Sequence, residues 1–228
     1  MTIFVLVHGG GSGPWTWRHL VERLSAEGHK TICPDLGNDE NASLADYRES
    51  VISALPEDAS DVVVVGHSGI GSCVAVMVAS EITVRRFILL AGTVPYPGVP
   101  LSDAMKQQLN YSQLLASSVI GEDGNMSFSL ESRRYFFSFD VQESVFKEQS
   151  ELARAQPIKV QDDVVPLENF PSVPFTAILG RHDRAVNFEA VSSRVTNRGG
   201  EVIAMECGHA PHLSHASSLA RTLISITS

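Results

Sequence analysis

The sequence predicts an α/β fold: a doubly wound, mainly parallel six-stranded sheet with a helical cap inserted between strands four and five. Three observations carry this expectation. Six apolar, β-branched runs punctuate the chain, and near-continuous hydrophobicity marks strands covered on both faces, as in a parallel sheet. Segments with helical spacing separate the runs, and such alternation winds helices onto both faces through right-handed crossovers. The region 93–172 breaks the alternation, so the core is expected over 1–92 and 173–228 with the cap between them.

The first strand runs from Ile3 to Val7, and Trp17, Leu20, Val21 and Leu24 then recur at helical spacing until Gly28 stops them. Lys30 to Cys33 gives the second strand, followed by a helix through Leu44, Tyr47, Val51, Ile52 and Leu55 that ends at Pro56. Val62 to Val65 gives the third strand. It stops abruptly at Gly66-His67-Ser68-Gly69 and a helix of small residues follows. After the fourth strand, Phe87 to Leu90, the inserted region opens with Pro95, Pro97 and Pro100 and closes with Pro166, Pro171 and Pro174. It carries short helical pieces rich in Tyr135, Phe136, Phe137, Phe139 and Phe146, and no strand fits within it. Phe175 to Leu179 and Val202 to Met205 complete the sheet. One helix is expected from Phe188 to about Asn197, before Gly199-Gly200, and a final one from about His212 to Ile226.

Composition excludes several functions. The 228 residues suffice for one core with at most an inserted cap. A net charge of −9 with 17 scattered basic residues argues against nucleic acid as a partner. Cys33, Cys73 and Cys207 are widely spaced and form no Cys-x-x-Cys pair, which fits free thiols in a cytoplasmic protein. The opening Met1 to Val7 lacks the apolar length and basic flank of a signal peptide, and no run reaches the roughly 18 apolar residues that cross a bilayer. No membrane partner is expected. Oligomeric state is not legible, and a homodimer is one open outcome.

The chemistry centres on Ser68. A serine on a sharp strand-to-helix turn projects its hydroxyl from the sheet's C-terminal rim above a helix N-terminus, the geometry of a nucleophile elbow. A hydroxyl attacks a carbonyl only if a base takes its proton, and histidine is suited to that near neutral pH. His209 follows the last strand, and Asp183 follows the fifth, where it could hold the imidazole in one tautomer. The order Ser, Asp, His is that of serine hydrolases built on α/β sheets. The other common place for the acid reads Ala91-Gly92-Thr93 and offers no carboxylate. Developing oxyanion charge needs backbone donors. The N–H of Gly69 is one candidate and that of Gly10, within His8-Gly9-Gly10-Gly11 after the first strand, is the other.

Plainer readings compete. Ser68 could be a turn residue and Asp183 a cap for the helix near Asn187. His182, His212 and His215 rival His209, and His209-x-x-His212-x-x-His215 has a spacing that could suggest a metal. No nearby carboxylate completes such a site, so no metal is expected, and His212 and His215 read as solvated or packing residues. The Gly9–Gly11 segment lacks the third glycine of a dinucleotide loop, and no P-loop lysine appears. The elbow also departs from Gly-x-Ser-x-Gly: Ile70 stands where the last glycine is usual, and Gly71 follows. Ile70 either crowds the elbow or points into the core.

With these residues placed, the chain resembles the α/β-hydrolase superfamily, and within it the small methylesterase and hydroxynitrile-lyase-like branch. The resemblance rests on Phe4-Val5-Leu6-Val7-His8-Gly9-Gly10-Gly11, Trp15 and Trp17, Gly28-His29-Lys30, Asp35-Leu36, Gly66-His67-Ser68, Leu152-Ala153-Arg154 and Gly208-His209. It implies a cap over an apolar pocket above Ser68, no cofactor, and esters of small alcohols as substrates. Lyases of this branch carry a lysine directly after the catalytic histidine; here it is Ala210, so the resemblance implies hydrolysis.

The sequence therefore predicts a serine hydrolase that cleaves a small carboxylic ester through an acyl-enzyme, using Ser68, His209 and Asp183, with Gly10 and Gly69 as oxyanion donors. Gly9, Tyr96, Tyr135, Phe136 and Phe139 are expected around an apolar or aromatic acyl group, unless the aromatics are only core packing. A lactone, amide or C–C bond hydrolase using the same residues is the alternative. A ligand-binding protein of this fold with little turnover, suggested by Ile70, is another.

Overall fold

The computed structural model describes residues 1–37 and 39–227. In chain order the core begins with β1 (Ile3–Val7), a single turn of 3-10 helix over Pro14–Trp17, α1 (Arg18–Ala26), β2 (Lys30–Ile32), α2 (Leu44–Ser53), β3 (Val62–His67), α3 (Ser68–Glu81) and β4 (Arg86–Leu90). The insertion holds α4 (Leu101–Gln108), α5 (Tyr111–Ala116), β5 (Ser118–Ile120), β6 (Asn125–Phe128), α6 (Leu130–Phe137), α7 (Glu143–Leu152), β7 (Gln156–Pro157) and α8 (Lys159–Asp162). The core resumes with β8 (Phe175–Gly180), α9 (Phe188–Thr196), β9 (Glu201–Met205), α10 (Pro211–Ser214) and α11 (Ala216–Thr227).

The main sheet has six strands in the order β2-β1-β3-β4-β8-β9, and every pairing within it is parallel. Alternating side chains feed two cores, as the two-residue period of a strand requires. Val5, Val7, Val64, Phe87, Leu89 and Leu179 pack on one face with α2, α3 and α9, while Phe4, Leu6, Val63, Val65, Ile88 and Ile178 pack on the other around Trp17, Leu20 and Leu223. α3 is apolar all round and buried from Gly69 to Ala79. A helix with no polar face has to sit inside the protein, and this one is sandwiched behind β3, where it carries the elbow.

Two expectations need correction. The insertion is not purely helical, because β5, β6 and β7 form an antiparallel three-stranded sheet, with Ser118 opposite Phe128 and Asn125 opposite Pro157. The strands have three, four and two residues, too few to show a periodicity. A turn through Gly124, at φ 72°, joins the first two. The last helix is broken as well: His215 leaves helical geometry at φ −133°, ψ 34°, separating α10 from α11. The break lets α10 turn His212 inward while α11 packs along α1.

Candidate active site

Ser68 begins α3 with φ 61°, left-handed backbone that L residues other than glycine enter at a cost of roughly 1–2 kcal/mol. The turn is tight because glycines let its arms meet. A Cβ on Gly66 would strike the Gly71 carbonyl, and one on Gly71 would lie 2.7 Å from the His8 carbonyl oxygen and 2.8 Å from that of Val7. Gly71 thus supplies the close approach usually given by the residue before it. Ile70 is buried in the core, with its Cδ1 beside Gly10.

The three distant side chains converge at the rim of the sheet. His209 Nε2 lies 3.2 Å from Ser68 Oγ, and His209 Nδ1 lies 2.8 Å from Asp183 Oδ2. The side chains of His209 and Asp183 are 3% and 1% exposed. Asp183 Oδ1 accepts from the N–H groups of Ala185 and Val186 at 2.8 and 2.9 Å, so both carboxylate oxygens are engaged. An acceptor-only carboxylate at Nδ1 fixes the proton there and leaves the Nε2 lone pair facing the hydroxyl. Asp183 does not cap α9, since Asn187 accepts from Ala190 N in that role.

Neighbours hold this histidine in place. His67 Nε2 donates to the His209 carbonyl at 3.0 Å, and Asp140 from the insertion accepts from Gly208 N at 2.7 Å and from the Ser214 hydroxyl at 3.0 Å. The rings of His67 and His209 have centroids 4.9 Å apart, and those of His67 and His212 are 4.5 Å apart. Burial, reinforced by the neighbouring imidazoles, holds His67 well below the usual histidine range. Burial and His209 bring His212 down to about 3. His212 is therefore neutral and buried rather than solvated, with Nε2 2.9 Å from Thr16 Oγ1. His209, His212 and His215 direct their nitrogens to different partners, and among the described residues no group of His, Cys, Asp and Glu is arranged to hold a metal ion. Burial pushes the nearby Cys207 thiol up to about 12, which keeps it protonated.

The glycine loop after β1 is braced from two sides. Buried His8 donates from Nδ1 to the Gly9 carbonyl at 2.9 Å and accepts from Leu36 N at 3.1 Å, and burial lowers its pKa. From the insertion, Arg154 N donates to Gly11 O at 3.0 Å, Gln156 Oε1 accepts from Gly11 N at 3.1 Å, and the Arg154 guanidinium reaches Ser12 O at 2.8 Å. The same guanidinium grips Asp35 at 2.6 and 3.3 Å and lies over the Trp15 ring. Burial pushes the Asp35 carboxyl upward, but Arg154 and the Gly37 N–H outweigh it and leave it below its ordinary value.

Above Ser68 lies a cavity of about 210 Å3, walled by Met105, Leu109, Leu114, Phe128, Phe137 and Phe146. Gly9, Gly10, Gly69 and His209 also border it. The predicted aromatics do not. Tyr96 lies under Arg194 with its hydroxyl on Gln107, Tyr135 is 52% exposed beneath Arg184, Phe139 also lies against Arg184, and Phe136 packs with Leu114 and Ala185. Sequence reasoning missed Asp140, Gln156 and Phe128 as neighbours of the site. Phe137 and Phe146, among the aromatics that mark the insertion in the sequence, do line the cavity, as does Arg154 of the Leu152-Ala153-Arg154 segment.

A six-stranded parallel sheet with a helix springing from a strained serine, and an acid and a histidine at later strand ends, is the arrangement of an α/β hydrolase. The chain belongs to that family: the model described as "Alpha/beta hydrolase family" matches residues 4–222. Among relatives, it is 34% identical to Methylesterase 18 of Arabidopsis thaliana over 132 residues, 53% of this chain and 48% of that protein. It thus matches about half the length of that relative. It is 26% identical to Norfluorocurarine synthase 2 of Strychnos sp over 98% of this chain and 94% of the other. The crystal structure of methylesterase MES16 from Arabidopsis superposes with a TM-score of 0.82 at 24% identity, covering 99% of this chain and 98% of that one. No helix among the described residues is long and apolar enough to cross a membrane.

Proposed function

We propose that the protein hydrolyses a small carboxylic ester through an acyl-enzyme. The observation that carries this reading is the hydrogen-bonded line from Asp183 through His209 to Ser68 at the floor of a mostly apolar cavity. His209 takes the hydroxyl proton as Ser68 Oγ attacks the ester carbonyl. Asp183 stabilises the imidazolium that forms, and the proton passes to the departing alcohol. Water then attacks the acyl-Ser68 ester, with His209 as base, and the acid is released.

The N–H groups of Gly10 and Gly69 hold the oxyanion. Gly69 is in the first turn of α3, where N–H groups lack intrahelical partners. In a trans peptide the C=O and N–H point in opposite directions. By holding the Gly9 carbonyl, His8 turns the Gly10 N–H away from itself, and that N–H takes no protein partner among the described residues. Gly9 packs against Ser68, close enough that a Cβ there would be 3.0 Å from Ser68 Cβ.

Labelling with a fluorophosphonate tests the reading. Wild type should gain one phosphonyl mass at Ser68 and hydrolyse short aryl esters, and Ser68→Ala should do neither. Equal labelling of Ser68→Ala would remove the basis of the proposal. A relative matched over nearly the whole chain is named a synthase, so lactone, amide and C–C substrates belong in the same panel.

A further inference from the structure

The cavity holds a cation with no counter-charge. Its walls contain two arginines, Arg133 and Arg154, and no aspartate or glutamate, although the chain as a whole carries a net charge of −9. Arg154 is committed to Asp35 and the Ser12 carbonyl. Arg133, on α6, is different. Its Nε donates to the Phe128 carbonyl at 3.1 Å and Nη1 reaches the Ser150 carbonyl at 3.5 Å, while Nη2 has no partner among the described residues. The next residue, Arg134, has Glu143 at 3.2 Å, but among the described residues no carboxylate pairs with Arg133.

A half-buried guanidinium held only by carbonyls is incompletely compensated. Desolvation already disfavours its charged form and lowers its pKa. Its two carbonyl bonds fix the side chain in the roof of the cavity whose floor is Ser68, with donors still free. The planar fork of a guanidinium matches a carboxylate better than any neutral group.

We propose that Arg133 binds an ionised carboxylate carried by the substrate at a distance from the bond that is cleaved, so that the preferred substrate is a half-ester of a dicarboxylic acid. This rests on the esterase reading and adds the substrate class to it.

The test compares mono-para-nitrophenyl adipate with para-nitrophenyl heptanoate, an uncharged ester of similar length, after subtraction of spontaneous hydrolysis. Wild type should show the higher kcat/KM on the adipate. In Arg133→Gln the adipate value should fall by about tenfold to a hundredfold, mostly through KM, the range expected for loss of one charge-assisted contact. The heptanoate value should stay within about threefold, since no charge is involved there. Arg133→Lys should recover part of the preference. A wild type that favours the heptanoate, or an Arg133→Gln that lowers both substrates equally, overturns the proposal, and the first result needs no variant to fold. If neither ester turns over and Ser68 resists fluorophosphonate, it is the esterase reading that fails. The carboxylate site is then judged by calorimetric binding of monomethyl adipate. Weaker binding to Arg133→Gln sustains it, and no binding, or equal binding, refutes it.

Discussion

Replacing His212 by glutamine should make the protein less sensitive to acid. In the folded chain burial, and then the neighbouring His209, push this imidazole down to about 3 from an ordinary 6.5. Between those values the unfolded chain binds a proton that the native one refuses, so stability rises with pH across the window and is lost as pH falls through it. At about pH 5 the unfolded group is roughly 1.5 units below its pKa, which at about 1.4 kcal/mol per unit costs the fold about 2 kcal/mol. A protein of this size loses about 2–4 °C of Tm per kcal/mol, so this group alone should lower Tm by about 4–8 °C between about pH 7.5 and pH 5. His67 and His8 shift in the same direction but are present in both proteins. Glutamine keeps a polar group within reach of Thr16, whose hydroxyl is 2.9 Å from the ring. Thermal melts of wild type and His212→Gln at both pH values read the difference directly. Curves that run parallel would refute the assignment of a buried, neutral His212.

Other expectations follow from the same geometry. Asp183→Asn should keep the two N–H bonds to one oxygen but present a donor to Nδ1, reversing the tautomer. Turnover of an aryl ester should fall by about ten-thousand-fold with little change in the melt. Ser68→Gly should be about 1 kcal/mol more stable than Ser68→Ala in urea unfolding, because only glycine adopts φ 61° without strain. Gly71→Ala should cost about 1–3 kcal/mol or more by the same measurement, since the new methyl meets backbone carbonyls that cannot turn aside. Arg154→Met should change stability by less than about 1 kcal/mol, its partner Asp35 being half exposed. It should nonetheless reduce ester turnover by freeing the Ser12 carbonyl, which the guanidinium holds, while the main-chain bond to Gly11 stays.

The parts legible in the sequence are those in which local pattern and burial coincide. The strands around Val5, Val64 and Ile88 are apolar on both faces because both faces are covered, and their expected limits stand within two residues of those observed. Ser68, Asp183 and His209 have a local signature because they stand one, three and four residues past the ends of β3, β8 and β9. The hairpin of β5 and β6 went unseen although Asp123-Gly124 is a turn signal, since its flanking runs are too short to alternate visibly. The cavity aromatics were misassigned for a geometric reason. Phe136 and Phe137 are neighbours on α6, about 100° apart around the helix, and only the packing of the insertion decides that Phe137 faces the cavity while Phe136 joins Leu114. The bonds from Arg154, Gln156 and Asp140 span 68 to 145 residues of chain and leave no local signature.

The seam between Arg154–Gln156 and Gly11–Ser12 constrains how a protein of this fold can be re-engineered or diversify. Exchanging the lid of one relative for that of another would remove the brackets that shape a backbone loop belonging to the other half of the molecule. A chimera that replaces the insertion but omits this short stretch should take up its new ligands and process them poorly, whereas one that retains it leaves the choice of ligand and the competence of the chemistry free to vary separately.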